Sequence, residues 1–94
     1  MNTMTDEITI KTYLETKDNF FLEKLIQKYL PLIKSILSCY KIPKQDYEDY
    51  YQDILVQFIQ LVNKYSSETE INFESYIKTE LKRVFYNFYR RKLK

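Results

Sequence analysis

Carboxylates are concentrated in one short stretch of the sequence, residues 46–53. The stretch contains four acidic residues and no basic one. Asp49 and Asp53 are four residues apart with Gln52 beside them, so all three would project from one side of a helix. Such a side can accept hydrogen bonds from a basic protein partner. The alternative is that these acids only stabilise the positive end of their own helix.

Basic and aromatic residues are concentrated in residues 76–94, which hold seven lysines and arginines against one acid, Glu80. Lysine and arginine neutralise phosphates, and tyrosine offers a flat surface on which an unpaired base can stack. A helix would present eight of the residues together, away from its apolar side: Tyr76, Thr79, Lys82, Arg83, Tyr86, Asn87, Tyr89 and Arg90. This pattern predicts a nucleic-acid contact. The alternative is a solvated helix face on which the tyrosines are half-packed.

Groups that usually catalyse reactions are scarce in this chain. It has no histidine, no glycine and a single cysteine, Cys39. The usual nucleophile–base pairs and glycine-rich phosphate loops are therefore missing. The carboxylates at 46–53 could in principle bind a metal or transfer protons, but they open one helix instead of converging from separate elements. We predict a protein that is not an enzyme and has no cofactor and no metal site.

The elements that must position these groups are helices. Hydrophobic residues make up 45 % of the chain and charged residues 30 %, with no glycine and only two prolines, which favours long helices in one domain spanning 1–94. The predicted helices cover 6–16, 20–40 (kinked at Pro31), 46–65 and 72–92. Residues that can cap a helix precede three of them: Thr5, Asp18 or Asn19, and Asn72.

The third and fourth helices each have a predicted buried face. In the third helix this face consists of Tyr47, Tyr50, Tyr51, Ile54, Leu55, Phe58, Leu61, Val62 and Tyr65. In the fourth it consists of Phe73, Ile77, Leu81, Val84, Phe85 and Phe88. The acidic and the basic residues described above then lie on the opposite, outward sides.

The beginning of the chain predicts its compartment. The first twenty residues carry Asp6, Glu7 and Glu15 and lack a long apolar run, so we expect no signal peptide. No apolar run is long enough to span a bilayer. The single Cys39 cannot form an internal disulfide, which favours a reducing compartment. These features predict a cytoplasmic protein without a membrane partner.

Four motifs follow one another along the chain. Residues 17–32 contain Lys-Asp, Phe-Leu-Glu-Lys-Leu and Tyr-Leu-Pro-Leu, residues 46–53 read Asp-Tyr-Glu-Asp-Tyr-Tyr-Gln-Asp, and residues 73–76 read Phe-Glu-Ser-Tyr. The fourth helix closes on the basic pair at 90–91. In this order and spacing they resemble region 2 of the bacterial sigma-70 family. The family's motifs are Gly-Asp, Phe-Glu-x-Leu and Tyr-x-Pro-Leu, then Asp-Leu-x-Gln-Glu, Phe-Ser-Thr-Tyr and a basic close.

The resemblance implies a fold and a protein partner. The fold is an all-α bundle of three main helices plus a short N-terminal helix. The partner is core RNA polymerase, whose paired β′ clamp helices supply arginines to Asp49, Gln52 and Asp53. The resemblance also implies that three more residues of the third helix widen this contact: Leu55, Gln57 and Ile59.

It further implies that the fourth helix binds promoter DNA at the −10 element. Tyr76 would lie near the first flipped adenine of that element. Arg83 and Tyr86 would read its upstream edge. Primary sigma factors have a tryptophan pair where this chain has Thr79 and Glu80. This difference places the resemblance in the alternative, ECF-like branch.

The printed sequence ends after region 2, without the region 4 that reads the −35 element. The resemblance then implies either an excised domain or a subunit that needs a partner chain carrying region 4; an anti-sigma factor is another candidate partner. We therefore expect a bacterial module that binds core polymerase and engages or melts the −10 element. The alternative is a helical interaction module or co-sigma subunit that binds polymerase, or another partner, without reading DNA.

Overall fold

The computed structural model describes residues 5–65 and 71–92. Within them the chain forms α-helices and one short 3-10 turn and no strand, which confirms the predicted all-α fold. The helices are α1 (Asp6–Thr16), α2 (Asn19–Ser38), α3 (Tyr47–Lys64) and α4 (Phe73–Lys92), and the 3-10 turn Lys44–Asp46 leads into α3. Each helix end lies within two residues of its predicted position.

Short polar side chains cap the N-termini of three helices, as predicted. Thr5 accepts a hydrogen bond from the Ile8 amide at the start of α1, at 3.2 Å. Asp18 accepts from the Phe20 amide at the start of α2, at 3.0 Å. The helix α2 continues through Pro31, whose side chain is exposed. At the start of α4, the side-chain oxygen of Asn72 accepts from the Ser75 amide at 2.9 Å. These bonds satisfy amides that a helix start leaves without an internal partner.

The core is shared by all four helices. α1 packs on α2 and touches α4, while α3 packs against both α2 and α4. The buried face of α4 is confirmed at Phe73, Ile77, Leu81 and Phe85, whereas Val84 and Phe88 are half-buried. Tyr47 was predicted to face inward, and this is wrong: its side chain is 38 % exposed. As the first residue of α3 it lies at an end of the helix, where its ring stacks on Tyr51.

Two aromatic clusters connect the helices: the first joins α2, α3 and α4, and the second joins α3 and α4 to the segment just after α2. The first consists of Tyr29, Phe58, Tyr65, Phe73 and Tyr76. The second consists of Tyr40, Tyr50, Phe85, Phe88 and Tyr89. Neighbouring ring centroids are separated by 4.5 to 6.4 Å, mostly in edge-to-face or tilted geometry. Such pairs add to the free energy gained by burial alone.

Two carboxylates attach α1 to the other helices. Asp6 accepts hydrogen bonds from the Lys28 ammonium, at 2.7 Å, and from the Tyr29 hydroxyl. Burial raises the pKa of Tyr29 well above its usual range, and the hydrogen bond to Asp6 raises this pKa further. Glu7 accepts from the amide of Phe73, the first residue of α4, at 2.8 Å. The N-terminal helix thus holds α4 at its positive end.

Lys17 ends α1 in a left-handed conformation, with a φ of 59°. Its amide donates to the Tyr13 carbonyl at 2.7 Å. A residue with a Cβ pays roughly 1–2 kcal/mol in this region, and glycine does not. The family that the sequence resembles has glycine at this junction, where helices commonly end in this way.

Lys17→Gly is therefore expected to stabilise the fold by about 0.5–1 kcal/mol and to raise the melting temperature by about 2–8 °C. The gain in stability is smaller than the full conformational cost at Lys17, because glycine also has more conformational freedom in the unfolded chain. Thermal denaturation followed by circular dichroism measures it. The matched control is Lys11→Gly, in the regular part of α1, which should lower the stability by about 1 kcal/mol. A loss in both variants would contradict the explanation.

Candidate protein and nucleic-acid interfaces

The outward side of α3 carries most of the residues predicted to bind a protein. Asp49 and Gln52 are exposed and Asp53 is half-buried. Val56 follows on the same side and is 52 % exposed. We call the surface formed by Asp49, Gln52, Asp53 and Val56 the acidic surface. Leu55 and Ile59 flank it and are half-buried, so their outer atoms extend it with apolar area.

Gln57 is not part of this surface. Its side chain is only 8 % exposed, and its Oε1 has no hydrogen-bond partner within the described residues. Eight residues after Asp49, an α-helix has turned by about 80° from the starting direction, which brings Gln57 to the inward side with Ile54 and Phe58. The resemblance to the family assigned Gln57 to the polymerase contact from its position in the sequence alone. The structure places its amide in the core.

Asp53 already has a basic partner inside the chain. The Lys92 ammonium lies 3.2 Å from the Asp53 Oδ2. The same ammonium lies 4.6 Å from the centroid of the Tyr50 ring and 5.3 Å from that of Phe88. Of the two acids predicted to bind arginines, Asp49 is therefore the more available one. Within the described residues it forms no ion pair.

The outward side of α4 carries the basic residues. Five of the eight predicted contacts are exposed, and we call them the basic face: Thr79, Lys82, Arg83, Tyr86 and Arg90. The Tyr86 ring is half exposed, and the guanidinium carbon of Arg90 lies 5.6 Å from its centroid. A flat ring beside a cation suits an unpaired base with its phosphate.

The other three predicted contacts, Tyr76, Asn87 and Tyr89, are half-buried. The Tyr76 hydroxyl donates to the Leu61 carbonyl of α3 at 3.2 Å. Burial and the nearby Glu80 raise the pKa of Tyr76, while Arg83 lowers it. Tyr89 belongs to the second aromatic cluster. Both tyrosines thus pack against the rest of the bundle, and only part of each ring is open to a ligand.

Glu80 lies at the edge of the basic face, half-buried, and holds Arg83. Its Oε1 is 2.6 Å from an Nη of Arg83. A carboxylate here reduces the attraction for phosphate and occupies part of the guanidinium, which otherwise offers five donors. Tryptophan at this position, as in primary sigma factors, would have neither effect.

A cleft of about 350 Å³ opens between α2 and α4. Its lining residues are Ser35 and Ile36 from α2, Cys39 and Tyr40 just after α2, and Lys82 and Tyr86 from α4. The α2 residues were not predicted to belong to any site, because apolar spacing identifies the buried side of a helix but not which neighbour opens beside it. The cleft has the size and chemistry for one base: aromatic walls, a hydroxyl and an ammonium.

No metal-binding cluster is found in the part of the chain that the structure describes. Residues 5–65 and 71–92 contain no group of three or more histidine, cysteine or carboxylate side chains placed to hold a metal ion. In the same residues, no helix has both the length and the apolar character needed to cross a bilayer.

Comparison with known proteins identifies one family. The family described as sigma-70 region 2 matches residues 25–94, which contain most of α2 and all of α3 and α4. No curated protein matches the chain, and no solved structure matches it. Members of this family are transcription initiation factors that bind RNA polymerase and recognise promoters. The acidic surface and the basic face both lie within the matched residues. The chain therefore belongs to the sigma-70 region 2 family.

Proposed function

We propose that this domain binds the β′ clamp helices of core RNA polymerase through the acidic surface and engages the non-template −10 strand through the basic face. The observation that carries the proposal is the separation of the two surfaces. Asp49 and Gln52 project from α3, whereas Lys82, Arg83 and Tyr86 project from α4. One small domain can then contact a basic protein and an anionic strand at the same time.

The polymerase contact combines charge with apolar area. Asp49 offers a carboxylate that forms no ion pair within the described residues, and a carboxylate–arginine pair gives geometric specificity as well as affinity. Val56, exposed at the C-terminal end of the acidic surface, adds an apolar contact beside Leu55 and Ile59. Gln57 is left out of the proposed contact because its side chain is buried.

The DNA contact depends on the capture of an unstacked base. Extruding a base takes a few kcal/mol, and stacking on an aromatic side chain returns about 1–3 kcal/mol per base. We infer that the cleft between α2 and α4 receives one base against Tyr86 and Tyr40, with the phosphate near Lys82. Thr79 and Glu80 offer no large ring to insert between base pairs. The domain therefore captures an opened strand, and polymerase contributes to opening the duplex.

Tyr86→Ala is expected to weaken binding of a single-stranded −10 oligonucleotide by about 5- to 100-fold, the loss of one stacked base. Fluorescence anisotropy measures the affinity. Tyr86→Phe is the matched control, since it keeps the ring and should bind nearly as the wild type. Lys82→Gln should weaken binding and reduce the salt dependence by one phosphate contact. Equal affinities for the wild type and Tyr86→Ala would contradict the DNA contact.

One set of observations favours the second candidate, a co-sigma subunit that binds polymerase without reading DNA. Tyr76 and Tyr89 pack into the bundle, and Glu80 engages Arg83, so less of α4 is free than its sequence suggests. In this case core polymerase would bind the chain and the oligonucleotide would not. The anisotropy experiment, repeated with core polymerase as the ligand, separates the two candidates.

A further inference from the structure

The ion pair between Asp53 and Lys92 joins the acidic surface to the last turn of α4, which also carries Arg90 of the basic face. Asp53 belongs to the acidic surface on α3, and Lys92 is the last residue of α4, next to Arg90 and Arg91. The pair spans 39 residues of sequence, so it is a tertiary contact and not a local feature of one helix. Both side chains are partly exposed, 42 % for Lys92 and 35 % for Asp53, so a ligand can reach either one.

We propose that Lys92 is an intramolecular competitor for Asp53 that couples polymerase binding to DNA binding. The inference rests on the proposed function, because it assumes that the two surfaces bind those two partners. In the free domain the Lys92 ammonium occupies the carboxylate that a polymerase arginine would take. A phosphate that binds Lys92 releases Asp53, and an arginine that binds Asp53 releases Lys92.

The rings beside Lys92 hold this competitor in place. An isolated lysine on a surface samples many rotamers, and its ion pairs contribute little for that reason. Here Tyr50 and Phe88 both lie within 5.3 Å of the ammonium, measured to the ring centroids. Contact with two aromatic faces favours the charged head at this one position. Asp49, one turn earlier on α3, has no comparable partner in the described residues and stays open for the first encounter.

The coupling must be reciprocal and modest. If DNA increases the affinity for polymerase by some factor, polymerase increases the affinity for DNA by the same factor. Exposed ion pairs change an equilibrium by about two- to fivefold, and salt screens them. We therefore expect the two ligands to assist each other by about two- to fivefold at low salt. The effect should decline as the salt concentration rises.

The test uses Lys92→Gln, with Arg91→Gln as its matched control. Both remove one positive charge from adjacent exposed positions, but within the described residues Arg91 forms no ion pair. The labelled full-length chain is titrated with core RNA polymerase, with and without a single-stranded −10 oligonucleotide. Lys92→Gln should bind core polymerase about two- to fivefold more tightly than Arg91→Gln, and added DNA should no longer strengthen its binding.

A second measurement needs no polymerase. Asp53→Asn frees Lys92 and should increase the affinity for the oligonucleotide by about two- to fivefold relative to Glu48→Asn, an exposed acid without an ion pair in the described residues. In the Asp53→Asn background, Lys92→Gln should no longer change polymerase binding, because the carboxylate for which Lys92 competes is absent. If Lys92→Gln and Arg91→Gln bind core polymerase with equal affinity and respond equally to added DNA, the coupling is overturned and the proposed function is not affected. Failure of the wild-type chain to bind core polymerase overturns both.

Discussion

Asp49→Lys is expected to weaken binding to core RNA polymerase by at least about 30-fold. Removal of one partner from a hydrogen-bonded charge pair at an interface costs about 2–5 kcal/mol, and a lysine adds repulsion against the polymerase arginines. Asp49 is suited to this test because its side chain is exposed and forms no ion pair in the described residues. The expected loss is therefore a loss of contact with polymerase and not of the fold.

The measurement is a titration of the labelled chain with core polymerase, accompanied by circular dichroism to verify the fold. Asp49 lies in the first turn of α3, so the lysine also loses a favourable interaction with the helix dipole, about 0.3–1 kcal/mol. Urea denaturation quantifies that part separately. Glu15→Lys is the control for charge reversal. Glu15 is exposed on α1 and lies outside the residues that match the family.

The outcome of these two variants decides where polymerase binds. A large loss for Asp49→Lys with normal binding of Glu15→Lys supports the acidic surface. Similar binding by both variants would mean that polymerase contacts another part of the domain. Gln52→Ala offers a graded comparison, since it removes a neutral hydrogen-bond partner from the same surface. Its effect should be smaller, because a neutral amide attracts an arginine less strongly than a carboxylate does.

The sequence was sufficient to predict the features that depend on local interactions. The capping residues Thr5, Asp18 and Asn72 act on amides two or three residues away, so their spacing identifies the helix starts. Apolar residues three and four apart likewise identify the inward sides of α3 and α4. The outward directions of Asp49 and Lys82 follow from the same periodicity.

Contacts between helices could not be predicted from this periodicity. Glu7 caps α4 from 66 residues away, and Asp53 pairs with Lys92 across the bundle. The same limit applies to residues at the border between the inward and outward sides. Whether Tyr76 is open or packed depends on where the Leu61 carbonyl lies, which is set by the packing of α3 on α4. Helix spacing does not contain that information.

Phe73→Ala is expected to lower the free energy of unfolding by about 3–5 kcal/mol. A domain of this size has a total stability of about 5–15 kcal/mol, so much of it would be lost. The Phe73 side chain is fully buried. Its ring contacts those of Tyr29 on α2 and Phe58 on α3, at centroid distances of 5.5 and 6.3 Å. Its removal leaves a cavity where α2, α3 and α4 meet, and these rings cannot all move to fill it.

Urea denaturation of the wild type, Phe73→Ala and Phe20→Ala measures this effect. Phe20→Ala is the same chemical change at a side chain that is 53 % exposed, so it should alter the stability by less than about 1 kcal/mol. Phe73→Leu should recover most of the loss because leucine fills part of the cavity. If Phe73→Ala were no more destabilising than Phe20→Ala, the first aromatic cluster would not be the junction of the three helices. A different outcome is that Phe73→Ala lowers the free energy of unfolding by the expected amount and also weakens binding of both core polymerase and the −10 oligonucleotide. In that case the packing of Phe73 also keeps the acidic surface and the basic face in their relative positions.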